Sequence, residues 1–172
     1  MKRSGYLAAA ALALLAATAW ADAPSVSVEY AATPVGGDRW QYTYAIENGS
    51  LAGPIEEFTI WFGHATYANL ALATPDPPAA AWSELVVQPD PLLSDDGYYD
   101  ALSLSGGIPI GGGVSGFAVT FDWLGAGEPG AQPFDIVDPD TFEPIYSGRT
   151  VPEPAAAGVM AVLAAVALRR LR

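Results

Sequence analysis

Between residues 22 and 150 a proline or glycine interrupts the chain every few positions, leaving few windows long enough for an ordinary helix. Proline lacks the N–H that a helix interior needs and clashes with the preceding turn, and glycine costs roughly 1 kcal/mol there through lost backbone freedom. Short extended segments joined by turns are what such a chain can form. The apolar residues between the interruptions alternate as strands require. Trp40, Tyr42, Tyr44 and Ile46 share one face, with Gln41, Thr43, Ala45 and Glu47 on the other. Phe58, Ile60 and Phe62 oppose Thr59 and Trp61, while Phe117, Val119, Phe121 and Trp123 oppose Ala118, Thr120 and Asp122.

Three strands with one apolar face each must bury those faces against one another or against a second sheet. Further strands fit at 26–30, 85–88, 99–104, 134–137 and 144–147, with turns at Glu47-Asn48-Gly49-Ser50 and Asp95-Asp96-Gly97. Seven or eight short strands with frequent turns predict an all-β domain, an antiparallel β-sandwich with immunoglobulin-like or fibronectin-like architecture. A short helix fits at 65–73 or 79–85. The glycine-rich 108–116 reads as a flexible loop, because the lysine and following helix of a phosphate loop are missing. Pro75, Pro77 and Pro78 predict a polyproline-like crossing between sheets.

The two ends read as addresses. Lys2 and Arg3, the apolar run 7–19 and the small-x-small triplet Ala19-Trp20-Ala21 are the three parts of a secretory signal peptide, with cleavage expected after Ala21. At the other end, Val151-Pro152-Glu153-Pro154 precedes an apolar run of 14 residues, 155–168, and then Arg169-Arg170-Leu171-Arg172. As a helix that run would be about 21 Å long against a hydrocarbon core of about 30 Å, so it spans only with snorkelling arginines or local thinning. The arginines would keep the end cytoplasmic. Pro152 and Pro154 hold the preceding backbone extended, so that Val151 to Pro154 is expected to stand clear as an accessible peptide.

This tail resembles the PEP-CTERM sorting signal of bacteria that make extracellular polysaccharide, through Pro152-Glu153-Pro154, the apolar helix and the basic end at Arg169 and Arg170. The resemblance covers residues 151 to 172. It implies export by the secretion machinery, removal of residues 1–21 by signal peptidase, a stay in the inner membrane, and processing by an exosortase, a membrane-embedded protease. Onward passage to the periplasm, cell surface or matrix, in the company of exopolysaccharide, is the destination it implies.

Residues 22–150 are long enough for one domain with a hydrophobic core. They carry 18 acidic residues against only Arg39 and Arg149. That balance repels nucleic acid, whose binding needs clustered lysine and arginine. With no cysteine in the chain, the domain must hold by packing alone, and thiol chemistry and cysteine metal sites are excluded.

Catalytic constellations are sparse. His64 is the only histidine, and no elbow motif surrounds a serine. Glu56 and Glu57 are neighbours in a strand and therefore point to opposite faces, a poor arrangement for a paired acid and base. The chain reads as non-enzymatic. Asp135, Asp138 and Asp140, and a second group of Asp95, Asp96 and Asp100, offer the oxygen-rich chemistry that calcium prefers, without the spacing or bidentate glutamate of an EF-hand. The same residues also suit plain acidic turns. Trp61, Trp82, Tyr98 and Tyr99 are candidate platforms for sugar rings, and core packing is the competing use of the same aromatics. Asn48-Gly49-Ser50 matches a glycosylation sequon, but beside the bacterial tail a plain turn is the expected use. Two functions follow as expectations: a structural or adhesive surface or matrix component, and a carbohydrate-binding or calcium-dependent recognition module.

Overall fold

The computed structural model describes residues 25–154. Two sheets of five strands face each other, and a single four-residue helix is present among these residues. The first sheet has the order β10-β1-β2-β7-β4, built from β1 (Val26–Gly36), β2 (Arg39–Asn48), β4 (Tyr67–Leu72), β7 (Gly113–Trp123) and β10 (Val151–Pro152). The second has the order β5-β6-β3-β8-β9, from β3 (Glu57–Phe62), β5 (Trp82–Val87), β6 (Gly97–Ser103), β8 (Pro133–Val137) and β9 (Pro144–Arg149). All pairings are antiparallel except β1 with β10. The segment of Pro75, Pro77 and Pro78 carries the chain from β4 to β5 and thus from one sheet to the other, with α1 (Pro78–Ala81) at its end.

The alternation read from the sequence is the pleat of the two sheets. Tyr42, Tyr44 and Ile46 of β2 and Phe117, Val119 and Phe121 of β7 are buried against Phe58, Ile60 and Phe62 of β3. The rings of Phe58 and Phe117 meet edge to face across the two sheets with centroids 5.0 Å apart. Burying each such ring stabilises the fold by roughly 1.5–3 kcal/mol. The hydroxyls of Tyr42 and Tyr44 are paired in the interior, whereas Glu84 Oε1 and Gln132 Nε2 are buried without a partner. The Tyr44 hydroxyl donates to Gln132 Oε1 (2.6 Å), and Tyr42 donates to the Gly130 carbonyl (2.7 Å). Burial pushes both phenols far above the usual tyrosine range, so they remain neutral donors.

The short helix falls at Pro78–Ala81, overlapping the start of the second expected window, whose remainder is β5. In the first window, 65–73, Tyr67–Leu72 form an edge strand, with Tyr67 and Leu70 both facing the core three residues apart, a helical spacing, because the register shifts around Asn69 (φ 52°). Residues 113–116 belong to β7 rather than to a flexible loop. Tyr44 pairs with Phe117 and Ala45 with Ser115, leaving Gly116 (φ 101°) as the extra residue of a bulge. That bulge switches the parity of the strand, so Val114 joins the core alongside Phe117. Asn48 is fully buried, and its Nδ2 donates to the carbonyls of Gly53 and Ile108, so it is the clasp of the expected turn and no glycosylation acceptor.

Val151 and Pro152 do not stand clear of the domain. They pair in parallel with Glu29 and Tyr30 of β1, and the Glu153 N–H donates to the Tyr30 carbonyl (2.8 Å). Proline is tolerated there because β10 is the sheet edge, where its missing N–H breaks no ladder. The strand extends two residues past the expected domain limit at 150. The signal peptide at 1–21, the apolar run 155–168, and Arg169 and Arg170 lie outside the described residues. No helix among the described residues is long and apolar enough to cross a membrane.

Candidate functional site

The outer face of the second sheet concentrates chemistry. Strand pairing sets Leu85, Asp100, Thr59, Asp135 and Ser147 in one row running from β5 to β9. One step along the strands, Val87, Tyr98 and Trp61 form a second row. Glu57 stands at the other end of β3 on the same face, because residues two apart in a strand point the same way.

Trp61 and Tyr98 are direct cross-strand partners, their ring centroids 5.4 Å apart and inclined at 60°. Both are half-buried, showing part of their rings to solvent. The indole is held in place: Trp61 Nε1 donates to Asp135 Oδ2 (2.7 Å), whose Oδ1 accepts from Ser147 Oγ (2.6 Å). Thr59 Oγ1 donates to Asp100 Oδ1 (2.7 Å). A groove of about 480 Å³ crosses this face, within the range that small-molecule sites occupy. Phe142, three-quarters exposed on the β8–β9 connection, rises at its rim.

Two carboxylates of the groove, Glu57 and Asp100, are perturbed chiefly by burial. Burial, and next the charge of Asp100, raise the pKa of Glu57, and burial raises that of Asp100 against the lowering pull of the Thr59 hydroxyl. Glu57 is 9% exposed, and its Oε2 is buried without a hydrogen-bond partner.

The four candidate aromatics divide evenly. Trp61 and Tyr98 face outward, whereas Trp82 and Tyr99 are core residues and no platform for a ligand. Trp82 packs edge-on against Phe117 (5.2 Å) and against Phe58 (5.7 Å), and Tyr99, fully buried, donates its hydroxyl to Glu84 Oε2 (2.9 Å). The reason is parity, since Tyr98 and Tyr99 are strand neighbours and cannot share a face.

The aspartates are not gathered into a metal site. Asp135 points from β8 into the groove, while Asp138 Oδ1 accepts from the backbone N–H groups of Asp140 and Thr141 and closes the β8–β9 turn. Asp90 plays the same part before β6, accepting from Leu92 and Leu93. Asp95 pairs through its backbone with Asp90, and Asp96 engages His64. No group of three histidine or acidic side chains among the described residues is arranged to hold a metal. His64 Nδ1 lies 2.6 Å from Asp96 Oδ1, and the His64 backbone N–H is the main cause that holds the Asp96 carboxyl below its usual range. The pair ties the β3–β4 turn to the loop before β6.

Thr59, Leu85 and Phe142 are not candidates in the sequence, and Glu57 enters there only as a poor acid–base partner of Glu56. The alternation Glu57, Thr59, Trp61 was the available signal for two of them. Leu85 and Phe142 join the groove only through pairing and turn geometry.

No family model matches the chain, and no curated protein matches it. Among solved structures, it is similar to a chain of a type I cohesin–dockerin complex, Coh-OlpA-Doc918, from Clostridium thermocellum ATTC 27405, with 16% identity and a TM-score of 0.37 over 74% of this chain and 99% of that one. It is also similar to a family 3b carbohydrate-binding module from the biomass sensoring system of Clostridium clariflavum, with 13% identity and a TM-score of 0.38 over 73% of this chain and 85% of that one. At that overlap, function has to be argued from the residues of this chain itself.

Proposed function

We propose that this chain is an exported, non-enzymatic component of the cell surface or extracellular matrix that adheres to polysaccharide through the outer face of its second sheet. The carrying observation is the Trp61–Tyr98 pair, exposed on a sheet face and fixed by Asp135, beside a row of hydrogen-bonding side chains. Aromatic faces stack on the apolar C–H face of a sugar ring, and carboxylates and hydroxyls accept from its O–H groups, so the two rows together present what a pyranose needs. The flat, open form of the groove suits a chain lying across it.

The sorting arm of the proposal rests on the ends of the sequence: signal peptidase removes 1–21, the run 155–168 holds the chain in the inner membrane, and an exosortase acts at the Pro152-Glu153-Pro154 tail. In a host with an exosortase, replacing these three residues by alanine is expected to leave an uncut, membrane-held product. Recovery of the full chain from the cytosol with both ends intact contradicts this arm. The binding arm is tested on immobilised polysaccharides and a glycan array, where the full chain is expected to bind and W61A is not. An array with no binding for the full chain contradicts it.

A further inference from the structure

The groove is anionic in a way that a neutral sugar does not require. Glu57, Asp100 and Asp135 all line it, and among the described residues no cationic side chain does. Arg39, on the first sheet, is bound to Asp122, Thr120 and the Asn69 carbonyl, and Arg149, near the end of β9, donates to the Ala131 carbonyl. Asp135 has donors on both oxygens and Asp100 has one. The independent observation is Glu57: nine-tenths buried, lining the groove, with an Oε2 that no donor reaches. A buried acceptor left unpaired forfeits its hydration without replacement, at greater cost when it is charged.

We propose that this groove binds a glycan bearing free amino groups, a hexosamine whose ammonium is held by Glu57 and Asp100 while a neighbouring ring stacks on Trp61 and Tyr98. The proposal rests on the sugar-binding reading above and names the class of sugar. An ammonium supplies the N–H donors that the Glu57 carboxylate lacks, and its charge offsets the burial that raises the pKa of both Glu57 and Asp100 and, next, the effect of the Asp100 charge on Glu57. The aromatic pair adds attraction, since a cation is drawn to the face of tryptophan or tyrosine. Four residues of strand separate Glu57 from Trp61, about 13 Å, which is more than one sugar ring and so fits a chain rather than a monosaccharide. The same charges exclude uronic acid polymers, whose carboxylates would meet three others without a counterion.

The test is titration of the full-length chain, in mild detergent, with four tetrasaccharides: glucosamine, N-acetylglucosamine, glucose and galacturonate. The glucosamine tetramer is expected to bind at least tenfold more tightly than the acetylated one, with an advantage that shrinks as salt is raised. E57Q and D100N are expected to remove that advantage while leaving weaker binding of the acetylated tetramer in place, and W61A to abolish both. E47Q, an acidic change on the other sheet, should leave every affinity unchanged. Equal or tighter binding of the acetylated, neutral or uronic tetramer overturns the amino-sugar assignment and leaves the sugar-binding reading standing. Loss in E47Q equal to that in E57Q also overturns it, because attraction would then come from overall charge. If none of the four binds, both readings fail. Circular dichroism of each variant separates lost binding from lost folding, and the conservative E57D should restore part of the advantage.

Discussion

The two outer faces of the sandwich are made by the same alternation and differ completely in content. On the first sheet, Gln41, Thr43 and Ala45 of β2 lie beside Thr120 and Asp122 of β7: short, polar, and largely paired among themselves or with Arg39. On the second, the matching positions hold Trp61, Tyr98, Leu85, Asp100 and Glu57. A sheet needs only solubility from its solvent face. The first face meets that need. The second carries large, partly exposed rings and one buried carboxylate, Glu57, that add cost to the folded chain, which is the ground for proposing a contact with something outside it.

The largest effect tests what both faces share. F58A removes a ring packed against Phe117, Tyr99 and Trp82 and is expected to destabilise by about 3–5 kcal/mol, read by denaturant unfolding, with both faces lost together. Next, W61A should take glycan binding below detection, a loss of at least about 30-fold, as expected for a central aromatic anchor worth about 2 kcal/mol or more, while T43A on the opposite face leaves affinity unchanged. D135N should cost less. It keeps one acceptor for Trp61 Nε1 or Ser147 Oγ but not the charge, weakening the hold on the indole by about 1 kcal/mol in affinity.

A smaller effect concerns pH. Because the folded state raises the Glu57 and Asp100 pKa values, it binds these protons more tightly than the unfolded chain does. Their contribution is thus favourable below the ordinary carboxylate range and is lost as pH rises through the raised values. The melting temperature of E57Q should accordingly depend less on pH across that window than that of the parent. T43A is expected to be the smallest change, within about 0.5 kcal/mol of the parent in stability. A larger loss would show that the first face is also built for more than solvent.

The sequence revealed one kind of information well. Parity along β2, β3 and β7 announced which residues meet in the core, since burial selects one face of a pleat and the pattern is written in consecutive residues. It failed where a bulge breaks parity. The window 65–73 admits a helix because the irregularity at Asn69, which puts Tyr67 and Leu70 on one face of a strand, is invisible in composition, and the glycines of 113–116 read as a loop because a bulged strand uses glycine for the same conformational freedom. The candidate site was half legible. Trp61 could be placed outside from its strand alone, but Tyr98 and Tyr99 could not be told apart until the strand's limits were fixed. The link from Trp61 to Asp135 joins residues 74 apart, and no local pattern encodes it.

The central claim is that the outer face of the second sheet, and not that of the first, is the contact surface. Backbone amide chemical shifts recorded while the chain is titrated with an oligosaccharide it binds test this most directly. Shifts confined to Glu57, Thr59, Trp61, Tyr98, Asp100 and Asp135 are the predicted result. Shifts at Thr43, Ala45 and Ser115 with that set silent would contradict it.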